Sequence, residues 1–163
     1  MLKQYLQQHA DLIKKINYQP DWKYQSFEEL ILKIGVDLKA IDLPEDIELG
    51  MPKSCYWNCQ QIIKKQPDLI YCEGYALIKE VPLPFKHAWL INSDKKVIDP
   101  TWETPGLEYI GIPFNNKWVQ FFLKIRAEKD KGECLSLLEG NYWEKSSFLR
   151  YGIPKEGYCG EIR

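Results

Sequence analysis

The chain has 163 residues, 45% of them apolar and 28% charged, a globular mix that excludes wholesale disorder and a fibrous repeat. No apolar run approaches the roughly 18 residues needed to cross a bilayer. Lys and Arg number 22 against 23 Asp and Glu, a net charge of -1, so the basic surplus of a duplex-binding domain is missing.

Residues 2–16 repeat Leu2, Leu6, His9, Leu12, Ile13 and Ile16 near a 3.6-residue period, which predicts an amphipathic helix. A connection carrying Pro20 leads to Ser26, which with Glu29 has the spacing of a capping box and opens a second helix with the apolar stripe Leu30, Ile31 and Ile34. Pro44, Gly50 and Pro52 make 41–54 a loop, and a helix follows over 55–65, stopped by Pro67. The pattern then changes to strands at 69–79, 86–92 and 96–99, with another at 109–114. A helix follows over 116–129, then short helices near 133–139 and 143–149. Strands that succeed one another directly favour an antiparallel sheet, so the class is α+β. The length suits one domain over 1–163, with a core at about 50–115 and C-terminal helices over 116–163. The first ~45 residues either cap this core as a helical unit or belong to it.

The first residues, Met1-Leu2-Lys3-Gln4-Tyr5-Leu6, lack the continuous apolar segment of a secretory signal. Five cysteines (55, 59, 72, 134 and 159) form an odd set without framework spacing. Both features point to a reducing, cytoplasmic setting with free thiols, while the missing apolar run and the balanced charge leave no membrane and no nucleic acid as partner.

Cys55 begins the helix that follows Met51-Pro52-Lys53-Ser54. A thiol there meets unpaired backbone N–H groups and the positive end of the helix dipole, which favour the thiolate. The same N–H groups can donate to an oxyanion. Cys59 lies one turn further in and is a poorer nucleophile, and Cys72 sits in mid-strand. Only two histidines exist, His9 and His87. His87 and Asp99 lie on consecutive strands joined through Asn92-Ser93-Asp94-Lys95, and a tight turn centred on residue 93 sets them directly opposite one another. The carboxylate can then fix one imidazole nitrogen and leave the other to take a proton from a thiol. Cys55, His87 and Asp99 thus form a nucleophile, base and orienter set, whereas a register slip of one residue would separate the last two.

Cys55-Tyr56-Trp57-Asn58 at a helix start, Tyr71-Cys72-Glu73-Gly74-Tyr75-Ala76, His87-Ala88-Trp89 and Asp99-Pro100-Thr101-Trp102 resemble the transglutaminase-like branch of the papain-like cysteine-enzyme superfamily. The match covers about residues 50–115. The resemblance implies a papain-like/transglutaminase-like core, a nucleophile helix packed on an antiparallel sheet, with extra N- and C-terminal helices. It also implies Cys55 as nucleophile, His87 as base then acid, Asp99 as orienter, and Trp102 as the aromatic shielding the His–Asp pair from water. Ser54 stands where many relatives have Gly. For the side chain that often completes the oxyanion hole, Gln25, Tyr24 and Trp22 are the candidates. Glu73 either lines the cleft and reads a cationic or amide group, or points outward from its strand.

The leading expectation is a cysteine hydrolase or acyltransferase acting on an amide bond of a protein, peptide or small molecule: a peptidase, amidase or deamidase that needs no cofactor. Loops at 43–54 and 81–85, with the N-terminal helices as a further contributor, would set specificity. Two other readings stand beside it. Cys55, Cys59, Cys72 and His87 could form a Cys3His metal set. A non-catalytic binding module could keep the fold and use its aromatic supply (10 Tyr, 6 Trp, 6 Phe) as a recognition surface.

Overall fold

A computed structural model describes residues 1–130 and 136–160. Helices α1 (Leu2–Ile16) and α2 (Phe27–Ile34) come first, then strand β1 (Val36–Leu38) and helix α3 (Cys55–Lys65). Strands β2 (Ile70–Leu77), β3 (Phe85–Ile91), β4 (Val97–Ile98) and β5 (Glu108–Pro113) follow. Helices α4 (Asn116–Asp130), α5 (Leu137–Gly140) and α6 (Ser147–Tyr151) close the chain. The protein is therefore mixed α+β, with an antiparallel five-stranded sheet in the order β1-β5-β2-β3-β4. Of the short helix expected at 133–139, residues 133–135 lie outside the described residues, as does Cys134; the part described begins at Leu137. No helix among the described residues is long and apolar enough to cross a membrane.

The sheet curls until its two edges meet. Just beyond β1, Ala40 forms a parallel bridge to Val97 of β4. The Ile41 N–H donates to the Val97 carbonyl and the Val97 N–H to the Lys39 carbonyl, at 3.0 Å each. One face of the sheet then encloses Leu38, Cys72, Ala76, Trp89, Ile91, Val97 and Tyr109. The other face presents Tyr71, Tyr75, Ala88, Leu90, Ile110 and Ile112 to the helices, where Leu2, Leu6, Leu30, Ile31, Cys59 and Ile63 complete the main core. So narrow an enclosure leaves no room for side chains opposite Trp89. Gly74 pairs with His87 on one side and Gly111 on the other, and a Cβ on Gly111 would stand 2.6 Å from the Trp89 ring. Any side chain at either glycine would force the strands apart.

The N-terminal residues belong to the core and do not form a separate cap. Leu2 and Leu6 are fully buried, and β1, which sequence pattern alone does not reveal in so short a stretch, pairs with β5. The buried Glu28 carboxylate ties α2 to the sheet by accepting from the Tyr75 hydroxyl at 2.5 Å, and His9 of α1 lies 3.1 Å from it. The Ser26 cap forms as expected, its hydroxyl accepting from the Glu29 N–H. The reciprocal bond is displaced by one residue: the Glu29 carboxylate accepts from the N–H of Gln25, not of Ser26.

Candidate active site

The hairpin that carries the histidine has a longer turn than its sequence suggests. Leu90 pairs with Ile98 and Ile91 with Val97, so the centre lies at residue 94 and not at 93. Lys95 adopts φ 59, and the Asn92 side chain accepts from the N–H groups of Asp94 and Lys96. A three-residue loop with a left-handed residue at its end replaces the tight turn. Asp99 is therefore not directly opposite His87; the ladder ends at Ile98 and Asp99 reaches across diagonally. The shift is two residues, which preserves the face of every side chain. His87 Nε2 and Asp99 Oδ2 lie 2.7 Å apart, both nearly inaccessible.

The carboxylate of Asp99 is held from every side. Its Oδ2 also accepts from the Tyr109 hydroxyl at 2.8 Å, and its Oδ1 accepts from the Thr101 N–H at 3.0 Å. Tyr109 is fixed in turn, because its oxygen accepts from the Gly106 N–H at 2.7 Å. Trp102 lies flat on the imidazole, with ring centroids 3.9 Å apart and planes 7° from parallel. Trp102 also lines the cleft, and its face favours an imidazolium.

Asp99 uses Nε2, so Nδ1 is the nitrogen left for the sulfur. Cys55, at the first turn of α3, is a hydrogen-bonding and electrostatic neighbour of His87, and both line one cleft of about 430 Å³. Burial works against a charged ring, but the hydrogen bonds and charges of Asp99 and Cys55 outweigh it and push His87 up to about 9. Since this lies above the ordinary 6.5, the stabilisation is fully present below about pH 6.5 and is lost as pH rises through about 9. It should amount to on the order of 3 kcal/mol. Urea unfolding between pH 6 and pH 10 should show this fall in the wild type and a much smaller one in His87→Gln. Matching curves would contradict the pairing.

The other cysteines lack this setting. Cys59 and Cys72 are fully buried, and burial pushes both thiols well above their ordinary value, so they stay protonated. All four described cysteines are free, and Cys55 alone among them lines the cleft. Among the described residues, no group of three or more His, Cys, Asp or Glu side chains is placed to hold a metal ion, so the Cys3His arrangement does not form.

Two expectations need correction. Glu73 neither points outward nor offers its carboxylate to the cleft. It is 1% exposed and accepts from the Tyr71 hydroxyl, the Ser136 hydroxyl and the N–H groups of Leu137 and Leu138. Burial pushes its carboxyl above the ordinary range despite these donors. Its work is to anchor the start of α5 to the sheet, which places Glu139 at the cleft. Glu73→Ala would strand several buried donors at once and should cost about 3–5 kcal/mol in urea unfolding. A loss below about 1 kcal/mol would contradict this role. The three oxyanion candidates also stand elsewhere. Gln25 is occupied with Gln19 and Trp22, Tyr24 packs in the main core, and none of Trp22, Tyr24 and Gln25 lines the cleft.

No family model, curated protein or solved structure matches the chain. The site therefore rests on its own geometry, which includes residues whose part in it the sequence does not reveal. Asn58, one turn after Cys55, takes the Met51 N–H on Oδ1 at 3.1 Å and gives Nδ2 to the Met51 carbonyl at 2.8 Å and the Thr101 hydroxyl at 3.0 Å. The Gly50 N–H donates to the Pro100 carbonyl at 2.7 Å. These bonds fasten the segment before Cys55 to the segment after Asp99, so both residues are located by one clamp. Its sequence signal was the i, i+3 spacing of Cys55 and Asn58, which puts them on neighbouring parts of a helix. Ser54 contributes no side-chain cap to α3. The first N–H groups of that helix are oriented toward its N-terminal end, where the sulfur lies.

Proposed function

We propose that the protein is a cysteine hydrolase of transglutaminase-like, papain-like type, acting on an amide bond as a peptidase, amidase or deamidase. The observation that carries this reading is His87, held by Asp99 through Nε2 at 2.7 Å, covered by Trp102, and in contact with Cys55 at an open cleft. Burial, a fixed tautomer and an adjacent thiol are what a thiolate–imidazolium nucleophile requires.

In this reading the Cys55 sulfur attacks the carbonyl carbon, and the carbonyl oxygen takes the electron pair as an oxyanion beside the first N–H groups of α3. The intermediate collapses, the C–N bond breaks, and the imidazolium of His87 gives its proton to the leaving nitrogen. Water then attacks the thioester, with neutral His87 taking one of its protons. The C–S bond then breaks, the carboxylic acid leaves, and the Cys55 thiolate beside protonated His87 is the starting pair again. An amine in place of water would give transamidation by the same steps. Hydrolysis is the preferred outcome because the cleft is open to solvent.

Iodoacetamide labelling with peptide mapping tests the nucleophile before any substrate is known. The folded wild type should be alkylated at Cys55 well ahead of Cys59, Cys72 and Cys159, and Cys55→Ala should lose that label. Equal labelling of the two proteins would remove the enzymatic reading and leave the binding module.

A further inference from the structure

Three residues lining the cleft carry a fixed charge: Lys53, Lys86 and Glu139. Two of them cancel, because Lys86 Nζ lies 3.0 Å from a Glu139 carboxylate oxygen. Lys53 makes no ion pair among the described residues. The cleft therefore keeps one uncompensated positive charge, and this charge lies two residues before the nucleophile. Its placement is not incidental to a loose loop. The backbone of Lys53 is in the left-handed region at φ 61, a conformation that a lysine keeps only where its surroundings impose it. Here the Asn58 clamp on Met51 and the bond from Gly50 to Pro100 impose it from one side, and the start of α3 does so from the other.

The rest of the cleft has a different character. Ile78, Phe85 and Trp102 form an apolar wall, with the Phe85 ring set edge-on to Trp102. A ligand that satisfies both features has an apolar or aliphatic part for the wall and an anion for the lysine. The positive end of α3 adds to the same field. A cationic acyl group would meet repulsion from Lys53 without a free carboxylate to offset it, since Glu139 is engaged with Lys86.

We propose that Lys53 is the recognition residue for an anionic group on the acyl donor, so that the cleft takes amides whose acyl part bears a carboxylate or similar anion near the carbonyl that is attacked. This rests on the reading of Cys55 as nucleophile and adds the substrate class to it. Lys53 acts on the part of the substrate that remains on sulfur, so its charge affects formation of the thioester and not the identity of the leaving amine.

Iodoacetate and iodoacetamide test this directly, because in both the sulfur displaces iodide from carbon, and the two differ chiefly in the negative charge. The rate of each at Cys55 is measured by mass spectrometry in wild type, Lys53→Asn, Lys53→Arg and the remote control Lys14→Asn. Asn tolerates the left-handed backbone and removes the charge. The ratio of iodoacetate to iodoacetamide rates should fall about three- to tenfold in Lys53→Asn, and the fall should shrink as salt is added. Lys53→Arg and Lys14→Asn should keep the wild-type ratio. A ratio within about 1.5-fold of wild type in Lys53→Asn, with Cys55 still labelled, would overturn the assignment of Lys53 and leave the nucleophile standing. Failure of both reagents to label Cys55 in the folded wild type would remove the nucleophile, and this inference with it.

Discussion

Cys55→Ala should lower hydrolysis of a responsive amide by at least about 10⁴-fold while the protein stays folded. The loss is expected to be this large because the other described thiols cannot substitute. Cys59 and Cys72 are sealed in the two cores and kept protonated by burial, and Cys159 is not among the residues of the cleft. The fold should tolerate the change because Cys55, a buried member of the main core, also lines the cleft, and losing one sulfur atom leaves only a small gap there. A panel of fluorogenic peptide amides and glutamine amides, some with acidic acyl groups, supplies the assay; kcat/KM is compared with urea unfolding for the same variant. Cys59→Ala provides the contrast. It removes a fully buried side chain, so it should lower stability and leave the rate within a few-fold of wild type. Residual activity in Cys55→Ala above about 1% would place the chemistry on another group.

Asp99→Asn should lower the same rate by about 10²- to 10⁴-fold, more than its size suggests. Every group around this carboxylate donates: the His87 ring, the Tyr109 hydroxyl, and the N–H groups of Thr101 and Trp102. An amide offers one acceptor and one donor end. With its oxygen toward Thr101, the NH₂ faces His87 Nε2, which must then accept. That tautomer carries its proton on Nδ1, facing the sulfur, and cannot take the thiol proton. With the amide reversed, the NH₂ opposes the Thr101 N–H and the turn after Pro100 loosens. Tyr109→Phe removes one donor and leaves the carboxylate, so its effect should be smaller, about three- to tenfold, and should be accompanied by a lower His87–Asp99 stability contribution in the pH-dependent unfolding. Equal rates for Asp99→Asn and wild type would reduce the pair to a structural contact.

How far these features could be read from residues alone varies along the chain. Helix α3 and the strands around it were legible because their apolar periods and their punctuation agree, as at Pro67 and in the change of period after it. The shared face of His87 and Asp99 was legible for a simpler reason: an even offset keeps parity, so a wrong turn centre still puts both side chains on one side of the sheet. The turn itself was misjudged because Lys95, a residue with no local preference for positive φ, occupies the left-handed position. Strand β1 was invisible because three residues show no period, and it is defined by its partner β5. Glu73 was misread for a related reason. An acid in a strand reads as solvent-facing unless something distant in sequence covers it, and its donors at 136–138 lie more than 60 residues away. Tyr109 and Asn58 serve the site through contacts that close only when the sheet curls and α3 docks. Apart from the i, i+3 spacing of Cys55 and Asn58, neither event leaves a local mark in the sequence.

The sulfur of residue 55 and the imidazole of residue 87 should behave as one unit in the resting protein. Titration of the His87 ring by NMR, in wild type and in Cys55→Ala, tests this without a substrate. In the wild type the ring should titrate at about 9, raised by Asp99 and Cys55 together against its burial. Without the sulfur, Asp99 alone must offset that burial, so the value should fall by one unit or more, roughly. Identical titration curves in the two proteins would contradict the contact and the chemistry built on it.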